Sequence, residues 1–85
     1  MNQSYTHRER IHVEQVKRLQ CSVCDQPGPS QAHHIDQSNP WLCVALCKDC
    51  HQGAHNGWHG RKAIWLVKKM DELAALGVTI RRLLG

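Results

Sequence analysis

The sequence predicts a small α+β domain stapled by zinc, on three observations. The chain has few large apolar side chains, it carries two Cys-x2-Cys pairs, and short apolar stretches of strand length lie between two helical patterns. At 85 residues it is expected to form one domain. A chain of this size buries only about 60–65% of its unfolded surface, so the apolar core alone is marginal. There is no Phe, and the large apolar anchors are Tyr5, Trp41, Trp58 and Trp65. The longest apolar runs, 41–47 and 63–67, fall far short of the roughly 20 residues of a membrane span, so no membrane association is expected. Residues 1–10 are polar and charged rather than leader-like, which predicts a soluble, cytoplasmic protein. The formal charge of +4 is compatible with a polyanionic partner but too mild to identify one.

Residues 4–20 read as an N-terminal helix. Thr6 and Glu9 have capping-box spacing, and Ile11, Val13, Val16 and Leu19 form a loose apolar stripe beside a basic face. Residues 21–60 change character. Cys21-Ser22-Val23-Cys24 runs into the turn Pro27-Gly28-Pro29, followed by the short stretch Ala32-His33-His34-Ile35. Residues 41–46 alternate as a strand and end in Cys47-Lys48-Asp49-Cys50-His51, with Gly53, Gly57 and Gly60 punctuating a histidine-rich segment. Residues 61–84 form a C-terminal helical region. Its clearest helix is 61–76, with Ala63, Leu66, Val67, Met70, Leu73 and Ala74 as the core stripe. Gly77 is expected to end that helix, and Val78, Ile80, Leu83 and Leu84 suggest a short last one.

Five cysteines fit poorly with a closed disulfide framework. A tight turn between two thiolates aims both at one ion, and two such turns complete the tetrahedron of a structural zinc site. Cys21, Cys24, Cys47 and Cys50 are therefore the expected zinc ligands, although the intervening gap slightly exceeds the usual spacing. Cys43, on the second strand, is expected to be an ordinary buried thiol. Such a site leaves the histidines without a structural task. His33 and His34 are strand neighbours and point to opposite faces, so they cannot share a role. His51 and His55 have the spacing of one helix face. His59 would lie about 12 Å beyond His51 along a continuous helix, too far to share an ion, but the glycines argue against that continuity.

The segments Ala32-His33-His34-Ile35, residues 41–46 and Cys47-Lys48-Asp49-Cys50-His51 resemble the HNH endonucleases of the ββα-metal (His-Me finger) fold, in their zinc-stapled form. Cys50-His51-Gln52-Gly53 and Asn56-Gly57-Trp58-His59-Gly60 look more narrowly like the phage recombination-enhancement, RecA-dependent nucleases known as Ref-type. The general likeness spans residues 21–60, and the narrower one extends to 76. The resemblance implies a ββα-metal core flanked by N- and C-terminal helices. It implies that His33 binds a catalytic divalent cation, that His34 is the general base, and that His51 is a second metal ligand. The third ligand is His59 by the Gly-x-His-Gly pattern of the resemblance, with His55, which helical geometry favours, as the alternative. The middle Asn of the family name has no clean counterpart; Asn39 and Asn56 are the nearest. A histidine-only ligand set would shift preference toward Zn2+, Mn2+ or Ni2+ and away from Mg2+.

The chemistry implied is hydrolysis of DNA phosphodiesters by a metal-dependent endonuclease or nickase. Arg61 would clamp the phosphate, and Lys48, Arg61 and Lys62 would hold the DNA with little base reading. So small an enzyme has little surface for choosing a site, which points to a recombinase filament or another DNA-bound protein as partner, in a phage-infected or lysogenic bacterial cytoplasm. The alternative is a non-catalytic four-cysteine zinc module that binds nucleic acid or protein. A redox role for a Cys-x2-Cys pair comes third.

Overall fold

Each face of a two-stranded antiparallel sheet carries its own apolar cluster. The computed structural model describes residues 5–85, so Ser4 of the expected first helix lies outside the described residues. The order is α1 (His7–Arg18), β1 (Gln31–His34), β2 (Cys43–Leu46), α2 (Lys48–Gln52), α3 (Ala63–Val67) and α4 (Glu72–Leu84). The predicted capping box starts α1: the Glu9 N–H donates to Thr6 Oγ1 at 3.2 Å, and the Thr6 N–H donates to Glu9 Oε1 at 2.8 Å. Of its stripe, Val13 and Val16 are buried, whereas Ile11 is largely exposed.

The strands pair with His33 opposite Val44 and His34 opposite Cys43. Strand alternation then divides the core. Cys43 and Ala45 join Val13 and Val16 under α1, while Val44 and Leu46 join Cys21, Val23, Cys50, Trp65 and Ala75. β2 is consequently buried throughout. Its outer edge is also occupied: the Ser22 N–H donates to the Ala45 carbonyl at 2.9 Å, and the Ala45 N–H donates to Thr79 Oγ1 at 3.3 Å. Thr79 completes this buried node by bonding Ser22 Oγ at 2.7 Å and donating to the Ala75 carbonyl.

The expected helix 61–76 is two elements, not one. Lys69 adopts a left-handed backbone (φ 55°), and Asp71 restarts the chain as the cap of α4, its side chain accepting from the Ala74 N–H at 2.8 Å. The predicted stripe is correspondingly out of phase: Leu66, Val67 and Leu73 are 69%, 81% and 71% exposed. Trp65, Ala75 and Thr79 take the buried positions instead. Gly77 does not end a helix; it lies in the middle of α4, which runs on to Leu84.

Among the described residues no helix is long and apolar enough to cross a membrane.

Candidate metal centres

Two ligand clusters share the short helix α2. Cys21, Cys24, Cys47 and Cys50 bring one sulfur each to within 4.8 Å of all the others. Cys24 Sγ and Cys47 Sγ lie 3.7 Å apart. Four sulfurs each about 2.3 Å from one zinc would sit at nearly that separation, so the donor set and its spacing fit a tetrahedral ion. All five cysteines are free thiols. Cys47 caps α2 and its sulfur accepts from the Cys50 N–H at 3.4 Å. The first knuckle is fixed from the far end of the chain, where Arg82 donates to the Cys21 carbonyl and to Asp25 Oδ1 at 2.6 Å.

Burial pushes the thiols of Cys24 and Cys50 up, and the neighbouring Cys21 thiolate pushes them further. Cys21 itself is held down, because the N–H groups of Cys24, Cys47 and Val23 outweigh the burial around it. Four thiolates in this space require a cation among them. Cys43 stands outside the group, fully buried, with its thiol pushed up to about 11 by burial. It is the inert thiol the sequence suggested.

The second cluster is histidine. Ring nitrogens of His33, His51 and His59 lie within 4.8 Å of one another, and the three ring centroids are 5.0, 5.3 and 5.4 Å apart. His59 reaches it because the chain doubles back after α2. The His59 N–H donates to the His51 carbonyl at 3.4 Å, and the Trp58 N–H donates to the Cys50 carbonyl at 2.9 Å. The reversal needs Gly57 and Gly60, where a Cβ would collide with the Gly53 carbonyl oxygen. His55 is not part of the cluster. It is exposed, and with Ala54 and Arg61 it lines a shallow cavity of about 280 Å³.

Two residues outside the sequence reading set the ring orientations. His33 Nε2 lies 2.6 Å from Glu72 Oε2, and His51 Nδ1 lies 2.7 Å from Gln31 Oε1. Carboxylate and amide oxygens accept, so the tautomers assigned from these contacts are Nε2–H for His33 and Nδ1–H for His51. The remaining lone pairs, on His33 Nδ1 and His51 Nε2, are those free to ligate. Burial, then repulsion from His33 and His59, pushes His51 down to about 4, which keeps its imidazole neutral. A three-nitrogen set with one exposed member has the form of an open metal site.

His34 faces the other side of β1. Its Nε2 lies 3.3 Å from the Tyr5 hydroxyl, with the two rings stacked at 6.2 Å. Burial, followed by the charges of His33, Lys17 and His12, pushes its pKa down. Of the proposed DNA contacts, Lys48 and Arg61 are exposed, whereas Lys62 holds its ammonium 3.9 Å above the Trp58 ring. Asn39 and Asn56 each secure a loop: Asn39 Oδ1 accepts from the Trp41 N–H, and Asn56 donates to Asp49 Oδ2 at 2.9 Å.

Glu72 and Gln31 could not be found by spacing, since they lie 39 and 20 residues from the rings they hold. Comparison of the chain with protein-family models, with curated proteins and with solved structures gave no match.

Proposed function

We propose that the chain is a metal-dependent DNA endonuclease or nickase of the HNH, ββα-metal kind, with little sequence preference. The observation that carries this reading is the histidine triangle, in which one nitrogen of each of three rings lies within 4.8 Å of the others and two of the rings are bonded to side-chain oxygens. Carboxylate or amide oxygens behind ligating imidazoles are the usual outer shell of a metal site. The succession β1, β2, α2, with His33 on the first strand and His51 on the helix, has the order of the ββα-metal motif. The cysteine set needs zinc only as a staple. A purely structural zinc module would leave the arrangement around His33 and His51 without a task.

His33, His51 and His59 would hold a divalent cation, which would supply charge relief at the phosphate and at the departing 3′ oxygen. Nitrogen ligands favour Zn2+, Mn2+ or Ni2+ over Mg2+. His34 is the last residue of β1 and follows the metal ligand His33 directly in the chain, and on this reading it would act as the general base at the strand end. In the tautomer that donates Nε2–H to the Tyr5 hydroxyl, His34 Nδ1 would take a proton from the attacking water. The water oxygen bonds to phosphorus as the bond to the 3′ oxygen breaks, and that oxygen is protonated from solvent. The depressed pKa keeps His34 in its basic form at neutral pH. Lys48 and Arg61 hold the phosphodiester backbone, and a recombinase filament or other DNA-bound protein directs the cut, as in the Ref-type nucleases the sequence resembles.

The test is nicking of supercoiled plasmid with Mg2+, Mn2+, Ni2+ and Zn2+ in turn. His34→Ala is expected to lose at least about 100-fold in rate while keeping its zinc content and helicity. Silence of the unmodified protein with every one of these ions would leave the non-catalytic zinc module as the reading.

A further inference from the structure

The net charge of the chain is concentrated in one part of it. Residues 61–82 hold six of the eleven Lys and Arg residues and two of the seven Asp and Glu residues, which accounts for the whole of the +4; elsewhere five cations balance five anions. The surplus gathers at the two ends of α3, with Arg61 and Lys62 before it and Lys68 and Lys69 after it. Lys62 rests on the Trp58 ring, whereas Arg61, Lys68 and Lys69 are exposed, and among the described residues no ion pair engages them. The neighbouring anions are tied elsewhere. Asp71 caps α4, Glu72 meets His33, and Asp49 accepts from Asn56. Asp25 is paired with Arg82, with Lys68 beyond ion-pair distance.

Backbone conformation marks the same two points. Lys62 and Lys69 are left-handed, with φ of 60° and 55°, in a region that glycine enters without strain and other residues adopt rarely. A lysine in that conformation places a charge at the cost of backbone ease. We propose that the ends of α3 form a docking surface for the sugar–phosphate backbone of duplex DNA, with Arg61, Lys68 and Lys69 as the contacts that set affinity. Six residues of helical rise put Lys62 and Lys68 about 9 Å apart. A DNA strand carries a phosphate every ~3.4 Å along the axis, so it passes several between those ends. The surface adjoins the histidine cluster, because the chain enters α3 from His59 and leaves it toward Glu72, whose carboxylate lies 2.6 Å from His33. That adjacency, which rests on the nuclease reading, selects a phosphodiester over an acidic protein or an anionic lipid. Lysine ammoniums are point charges and phosphate contacts carry no sequence information, so the docking is blind to sequence.

The test is fluorescence anisotropy of a labelled duplex of about 20 base pairs with the zinc-loaded chain, from about 50 to about 200 mM salt. Lys68→Gln combined with Lys69→Gly removes two charges while easing the backbone at residue 69. It is expected to weaken binding at least about tenfold at the lower salt and to make the slope of log affinity against log salt shallower by about 2, with helicity and zinc content unchanged. Arg10→Gln combined with Arg18→Gln takes as much charge from α1 and should leave the slope in place. Val67→Ser should leave it too, although Val67 is 81% exposed beside the lysines, whereas a protein or membrane dock would need that side chain. Absence of duplex binding at about 50 mM salt and about 100 μM chain overturns the proposal. So do equal losses from the α1 pair, loss of binding in Val67→Ser, or capture of anionic phospholipid vesicles in place of the duplex. Binding is read without a second divalent ion. Duplex that is held but never nicked therefore counts against the nuclease reading alone, and nicking with an unaltered salt slope counts against the docking surface alone.

Discussion

Cys50 and His51 are neighbours in sequence, yet they belong to ligand clusters of opposite character. The cysteine set is closed: four sulfurs converge, two of them fully buried, and each pair comes from one tight turn. The histidine set is open: three nitrogens converge, one ring is exposed, and the orienting oxygens arrive from β1 and α4. A closed set supplies folding energy, and an open one leaves room for a reactant. The difference also governs what sequence can reveal. Ligands paired by a turn announce themselves by spacing, whereas ligands oriented through tertiary contact do not.

The sharpest way to break the contrast is to empty the cysteine set. Cys24→Ser, or strong chelation, is expected to remove on the order of 10 kcal/mol of metal-linked stability, comparable to that of a whole domain. Helicity followed by circular dichroism against zinc content checks this, and a chain that stays folded without zinc would refute it. The histidine set should then fall with it, because α2 carries both Cys50 and His51. A change outside both ligand sets is milder. His34→Ala, which should lower nicking at least about 100-fold, leaves the staple alone and the unfolding transition nearly in place.

A smaller effect separates ligands from their supports. Glu72→Ala removes the oxygen behind His33 and should weaken binding of the second ion about 10- to 100-fold while zinc in the cysteine set is retained. Calorimetric titration of the zinc-loaded chain with Mn2+ or Ni2+ reads this directly. Unchanged affinity would mean that the contact between His33 and Glu72 is only a tie between β1 and α4. Smallest is Tyr5→Phe, which keeps the ring beside His34 and deletes the hydroxyl. A loss of about 1 kcal/mol, a several-fold fall in nicking rate, is expected, with no change in either metal affinity.

Much of the fold was legible because local rules decided it. The Thr6 and Glu9 box starts α1, the two histidines alternate across β1, and the cysteine spacing yields the cluster. The C-terminal half was not. Periodicity over 61–76 is consistent with one long helix, and it misplaces the core because Lys69 turns the chain left-handed and resets the helical phase. Asp71 was the available signal, a capping residue three positions before an N–H it satisfies. His59 was legible as the favoured third member over His55, from the Gly-x-His-Gly pattern rather than from helical geometry, since its place depends on how tightly the glycine segment folds back. Neither Glu72 nor Gln31 carried a signal in the sequence, because each meets its histidine only through tertiary contact.

The way Ser22 and Thr79 occupy the outer edge of β2 has a consequence for how the protein behaves at high concentration. A sheet of two strands would ordinarily offer bare amide and carbonyl groups to any extended peptide that drifted past. Here a serine amide and a threonine hydroxyl already hold that border at Ala45, so fibre-like growth by strand addition is obstructed at that position.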